Sequence, residues 1–202
     1  MDADTWNQRY EATELMWSAG PNQFVEQICA GFSPGRSIDL AAGEGRNALW
    51  LAEQGWDSTA VDYSSVAIDK ARQIAERRGL SITTEVADLN QYVPASGGYD
   101  LVLVAYLQLP DDQLTPILRR AAAAVAPGGR FVLVCHDATN LEHGHAGPQY
   151  PEVLTTPEQV VAAVGAELVV ERAEVAERHV ETDDGTKTAL DTVVVAHRSS
   201  QV

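Results

Sequence analysis

The stretch DLAAGEGRNALWLAEQGWDSTAVD, residues 39–62, restricts the possible folds more than any other part of the chain. It runs from an apolar strand ending through two closely spaced glycines into an amphipathic helix. The helix stops at Gly55, and a second strand closes on Asp62. Without a Cβ, Gly43 and Gly45 allow a sharp strand-to-helix turn and let a ligand press against backbone at a helix N-terminus. Gly55 suits the left-handed residue that ends a helix. A strand–helix–strand start of this kind builds parallel sheets flanked by helices. Read literally, GEGRNA (43–48) satisfies the GxGxxG/A fingerprint, with the expected acid about 20 residues on. That acid, Asp62, can accept hydrogen bonds from both hydroxyls of a ribose. The signal is a nucleoside cofactor, either a dinucleotide or one without any phosphate.

The rest of the chain continues the alternation. A polar segment (4–11) precedes a helix begun by Gly20-Pro21, with Phe24, Val25 and Ile28 on one face. Strands are expected over 37–41, 58–62, 82–87, 99–106 and 131–137, separated by helices over 46–54, from Ser64 or Ser65 to ERRG, and over 111–126. The run YDLVLVAY (99–106) is apolar throughout, as for a strand buried on both faces. After a helix at 157–164, ELVVERAEVAERHVET, DDGT and KTALDTVVVAHR form two long strands around a tight turn, an antiparallel hairpin. The fold class expected is α/β: one domain, doubly wound and Rossmann-like, with a mostly parallel seven-stranded sheet ending in an antiparallel β-hairpin.

Charge narrows the partners. With 14 basic against 29 acidic residues, the net charge of −15 repels nucleic-acid phosphates and anionic membranes. No window approaches the roughly 20 apolar residues of a membrane span, and the start MDADTWNQRY is not signal-like. Cys29 and Cys135 have no CxxC or metal spacing and read as small core residues in a reducing compartment. A cytoplasmic monomer or homodimer is expected, with a small-molecule partner, no nucleic acid and no membrane.

Three features decide between the cofactors. Asp39 sits inside the first strand end, where an anion opposes a pyrophosphate but suits a cationic ligand. A dehydrogenase needs a proton donor, and no YxxxK pair is present. The closing hairpin is foreign to dinucleotide folds. Together DLAAGEGRN, VD at 61–62, ADL at 87–89, YDLVLVAYLQL at 99–109 and APGGRFVLV at 126–134 resemble the ordered motifs of class I S-adenosylmethionine-dependent methyltransferases. The resemblance covers about residues 33–198. GxGRN, VADLN and the ETDDG hairpin most resemble the small tellurite-resistance-type members, distant relatives of thiopurine S-methyltransferases.

The resemblance implies a role for each matching position. Asp39 and the turn from Ala41 through Gly43 and Gly45 lie beside the methionine end of S-adenosylmethionine, and Arg46 can pair with its carboxylate. Asp62 holds the ribose hydroxyls, and Tyr63 packs on adenine. Asp88 accepts from the adenine amino group, the Leu89 backbone meets the ring edge, and Ala105 offers its carbonyl to the ammonium. An N-terminal helix covers the cofactor, so Tyr10 and Trp17 can shield the sulfonium. The chain then divides into that cover (1–32), a cofactor-binding core (33–137), a substrate or lid loop (138–156), and a helix plus hairpin (157–202).

Acceptor-side groups should project from the C-terminal edge of the sheet. That selects Tyr106 and His136-Asp137, with His136 as general base and Asp137 orienting it. His136, His143 and His145 also invite a metal reading, but a glycine loop separates the first from the H-x-H pair, so no metal is expected. AYLQ stands where NPPY or DPPY would mark methylation of nucleobase or glutamine amide nitrogens. Glu181 and the net charge argue against tellurite itself. The reading is methyl transfer to a small molecule, a thiol or other chalcogen first. A small phenol or carboxylate O-methyltransferase and a non-catalytic cofactor-binding module are the alternatives.

Overall fold

The computed structural model describes residues 3–16 and 18–200. The elements are α1 (Ala3–Glu11), α2 (Gln23–Cys29), β1 (Arg36–Leu40), α3 (Arg46–Glu53), β2 (Asp57–Asp62), α4 (Ser65–Arg78), β3 (Thr83–Val86), β4 (Tyr99–Ala105), α5 (Asp111–Ala124), β5 (Val125–His136), α6 (Asn140–His143), α7 (Pro157–Val164), β6 (Val169–Thr182) and β7 (Gly185–His197). The sheet has seven strands in the order β3-β2-β1-β4-β5-β7-β6. The first five are parallel, and β7 runs antiparallel to both β5 and β6. The expected seven-stranded α/β sheet with its closing hairpin is the observed architecture.

Local chemistry explains most boundaries. The Asn22 carboxamide oxygen accepts from the Phe24 and Val25 amides and starts α2. Ser64, rather than Ser65, caps α4, and left-handed Gly79 ends it. Thr156 and Gln159 form a reciprocal capping box on α7. Most of these boundaries differ from the sequence expectation by at most one residue, and the junction of α5 and β5 by more. Helix α5 stops at Ala124, and the strand begins there because Val125 already pairs with Tyr99, ahead of a register shift across the APGG bend. Strand β3 is shorter, at the sheet edge.

Alternation along the strands separates two core layers. Ile38 and Leu40 of β1 join Val102, Val104, Phe131 and Leu133 against α5 and α7. On the other face Leu101, Leu103, Val132 and Val134 pack against Phe24 and Val25 of α2 and Trp50 and Leu51 of α3. Asp39 falls between Ile38 and Leu40, so its side chain points to the α3 face. Strand order reverses between β1 and β4, which opens a crevice at their C-terminal ends. The residue after each of these strands is a non-glycine in the left-handed region, Ala41 at φ 66° and Tyr106 at φ 56°. Such backbone costs about 1–2 kcal/mol per residue and concentrates at functional sites.

The hairpin reaches past the sheet. Strand β5 pairs with β7 only as far as His136 opposite Asp191, whereas β6 and β7 continue pairing to Thr182 and Gly185. The distal half is therefore a two-stranded ribbon standing beside the crevice.

Candidate active site

The turn after β1 is organised around Asp62. One of its oxygens accepts from the Gly43 amide at 2.8 Å and the other from the Ser64 amide at 2.9 Å. Burial raises the Asp62 carboxyl above the usual carboxylate range, while these amides and that of Tyr63 oppose the rise. Each carboxylate oxygen can accept a further hydrogen bond, so capacity remains for a ribose. Gly45, at φ 76°, turns the chain into α3.

Asp39 is the anomaly of this turn. It is fully buried, and neither carboxylate oxygen has a hydrogen-bond partner of regular geometry. Desolvation, with a smaller push from Asp62, raises its carboxyl to about 7, and Arg46 and the Ala48 amide offset only part of the rise. A buried carboxylate without a donor is incomplete until a cation or donor meets it. That is the requirement a methionine ammonium beside a sulfonium satisfies, so the residues present fit the cofactor that the sequence implies.

The remaining cofactor-side residues are placed unevenly. Asp88 is exposed, and one oxygen accepts from the Asn90 amide and side chain. Leu89 is buried, and its carbonyl accepts from Arg120 at 2.6 Å. Tyr63 is half-buried after Asp62, and Ala105 ends β4 at the crevice. Trp17 lies outside the described residues. Tyr10 is buried against Trp6, with ring centroids 5.7 Å apart.

Residues that the sequence reading passed over hold this N-terminal segment down. Lys70 of α4 donates to the Tyr10 and Thr13 carbonyls and pairs with Glu44 at 3.0 Å. Glu44, almost wholly buried within the glycine turn, accepts from the Met16 amide at 2.9 Å. The Asn7 carboxamide oxygen accepts from the Ser64 hydroxyl at 2.7 Å. Glu44 stands between the two glycines, which was the available signal.

On the acceptor side, the structure brings Tyr106 and His136 together, with ring centroids 4.6 Å apart. The carboxylate beside His136 is not the expected one. Asp137 is buried and turned away, accepting from the Thr139 amide and hydroxyl and from the Thr192 hydroxyl at 2.7 Å. Its role is to fix the start of loop 138–156. Asp191 of β7 lies instead against His136, with its Oδ1 3.3 Å from Nδ1. The other Asp191 oxygen accepts from the Tyr106 hydroxyl at 2.8 Å and from Arg178 Nε at 2.6 Å. Asn22 donates to the Tyr106 hydroxyl at 3.0 Å.

This end of the crevice is cationic despite the acidic surface. The guanidinium carbons of Arg46 and Arg178 lie 5.8 and 5.7 Å from the centre of the Tyr106 ring. Burial lowers the Arg46 pKa, and Arg178 lowers it further. Burial and the neighbouring Asp191 carboxylate hold the Tyr106 phenol well above its ordinary value. The loop over this cluster carries α6 and a 3-10 turn at Pro151–Val153. Gly147, at φ 83°, sits so close that a Cβ there would lie 3.1 Å from His136 Nδ1. Among the described residues no group of three His, Cys, Asp or Glu side chains is placed to hold a metal ion, and no helix is long and apolar enough to cross a membrane.

Comparison with known proteins agrees with this geometry. Residues 38–129 match the family model described as a methyltransferase domain. The chain is 28% identical over 137 residues to a 2-heptyl-1-hydroxyquinolin-4(1H)-one methyltransferase of Mycobacteroides abscessus, covering 65% of this chain and 60% of that protein. It is 27% identical over 110 residues to the probable S-adenosyl-L-methionine-dependent methyltransferase TehB of Haemophilus influenzae, covering 54% and 38%. The matches thus span less than two thirds of these relatives. A solved structure from work on the conversion of a disulfide bond into a thioacetal group during echinomycin biosynthesis superposes with a TM-score of 0.77. It shares 19% identity, over 99% of this chain and 93% of that one. In its motif order, its matched methyltransferase domain and its sheet, the chain is similar to the class I S-adenosylmethionine-dependent methyltransferases.

Proposed function

We propose that the chain transfers a methyl group to a small molecule carrying an ionisable S–H or O–H, a thiol or other chalcogen first and a hydroxyl second. S-adenosylmethionine supplies the methyl already activated on a sulfonium. The protein therefore has to bind, align and exclude water. Asp39 receives the ammonium, Asp62 the ribose hydroxyls, and Arg46 the methionine carboxylate. The observation that carries the acceptor reading is His136, at the C-terminal end of β5 against a buried carboxylate and an aromatic ring. A base is useful only to an acceptor that arrives protonated. Once the proton has moved, Arg178 and Arg46 stabilise the acceptor anion through space. The Mycobacteroides abscessus relative is named for a 1-hydroxyquinolinone, which supports the hydroxyl reading.

An acceptor screen covering thiols, sulfide, selenite, phenols and N-hydroxy heterocycles, read as S-adenosylhomocysteine release, tests this. His136→Ala is expected to slow methylation of protonated acceptors about 10²–10⁴-fold while sparing acceptors already ionised at the assay pH. An equal loss on both kinds would remove His136 as the base. Binding of S-adenosylhomocysteine with no release across the whole panel would favour a non-catalytic binding module.

The N-terminal segment makes a separate prediction. Because Lys70 ties residues 10–16 to the glycine turn through Glu44, Lys70→Met should speed S-adenosylhomocysteine dissociation several-fold in stopped flow. An unchanged rate would show that the segment lies off the exit path.

A further inference from the structure

Asp191 stands out among the buried groups because three functional side chains converge on it. It is fully buried in β7, opposite His136 in the antiparallel register. His136 Nδ1 and Asp191 Oδ1 are both sealed from solvent. Neither has a regular hydrogen-bond partner among the described residues, and they face each other at 3.3 Å. Two complementary orphan atoms at that separation form a contact that needs only a small rotation to close, as catalytic hydrogen bonds often do when ligands bind. The other Asp191 oxygen is held by Tyr106 from the end of β4 and Arg178 from β6. Ala176 is the register partner of Asp191, so Arg178 is its diagonal neighbour on the same face of the ribbon.

We propose that Asp191 is the positioning carboxylate of the acceptor site, resting on the reading of His136 as base. It accepts Nδ1–H of His136, which fixes the neutral tautomer with Nε2 bare, and it anchors Arg178 and Tyr106 around that ring. His136 then takes the acceptor proton at Nε2, and Asp191 stabilises the imidazolium without taking the proton. The groups around the imidazole are Asp191 on β7, Tyr106 after β4 and Gly147 of the loop, with the Arg178 and Arg46 guanidinium carbons 5.7 and 5.8 Å from the centre of the Tyr106 ring. Burial alone would raise the Asp191 carboxyl. The close His136 imidazole, the bonds from Arg178 and Tyr106, and the Arg178 charge hold it below the ordinary range, so it stays ionised.

The decisive measurement is the ¹⁵N NMR tautomer state of His136 in the cofactor-free protein, with His136→Gln assigning the signal. This readout needs no acceptor, so it stands even where methyl transfer fails. Wild type is expected to show Nδ1–H with a bare Nε2, and Asp191→Asn to shift the population toward Nε2–H. Asp191→Asn should also lower kcat about 10²–10⁴-fold and move the acidic limb of its pH profile, leaving S-adenosylhomocysteine affinity within about twofold. Asp191→Glu should recover part of the loss. An Nε2–H tautomer in the wild type, or an unchanged tautomer and pH profile in Asp191→Asn, would overturn the assignment. Should Asp191→Asn fail to fold, the wild-type tautomer alone decides.

Discussion

Asp39→Asn is expected to make the cofactor-free protein more stable at pH 8 and to weaken S-adenosylhomocysteine binding roughly 10- to 100-fold. Asp39 titrates at about 7 in the folded chain, against 3.8 ordinarily. At 1.36 kcal/mol per pKa unit, folding with this group charged costs about 4 kcal/mol. The isosteric amide removes that cost but leaves a buried polar group unsatisfied, worth about 1–3 kcal/mol. A net gain of about 1–3 kcal/mol remains, or roughly 3–10 °C in melting temperature for a chain of this size. The pH dependence carries the sign. Below pH 4 the carboxyl is protonated in both states, so the charge cost is gone and the variant should melt no higher than wild type. Between 4 and 7 the unfolded chain releases a proton that the folded chain keeps, so wild-type stability falls and the variant's advantage grows, levelling above 7. Binding runs the other way. On the proposed reading the ionised form receives the ammonium, so wild-type affinity should fall by up to tenfold per pH unit below about 7, and the variant's should not. Calorimetric melts and titrations from pH 4 to 8 measure both. A variant that melts no higher than wild type at pH 8 would show that the orphaned carboxylate carries no such burden.

What could be read beforehand follows from how locally each feature is specified. The cofactor half is written in contiguous residues: a strand, a glycine turn and a helix fix where Asp39, Gly43 and Asp62 stand relative to one another, and turn chemistry alone predicts them. The acceptor half depends on register. Asp137 is next to His136 in the chain, but successive strand residues point to opposite faces, so the neighbour turns away. The partner comes from fifty-five residues later, through the pairing of His136 with Asp191. A single Asp in the otherwise apolar run TALDTVVVA was a visible signal, yet its partner is defined only once the hairpin pairs. Arg178 was lost for the same reason, and with it the local positive field that the net charge of −15 conceals. Glu44 and Lys70 meet because α4 crosses the glycine turn, a tertiary fact without a sequence period.

Gly45→Ala should have the opposite stability sign to Asp39→Asn, although both residues serve one turn. Gly45 holds φ 76°, where a side chain costs about 1–2 kcal/mol, and an added Cβ would lie 3.0 Å from that of Ala71 on α4. Ala71 is fully buried, so relief requires α4 to move, which adds an overpacking cost of about 1–3 kcal/mol. A loss of about 2–5 kcal/mol is expected, or roughly 5–20 °C in melting temperature. Unlike the Asp39 effect, it should not change between pH 4 and 8, because sterics do not titrate. Cofactor affinity should fall as well, since Gly43 and Gly45 shape the turn whose amide holds Asp62. The two variants together separate what the turn contributes: one keeps the backbone and removes the charge, the other keeps the charge and strains the backbone. A Gly45→Ala protein that melts and binds like wild type would mean the turn tolerates a side chain, and that glycine there reflects no close approach of α4.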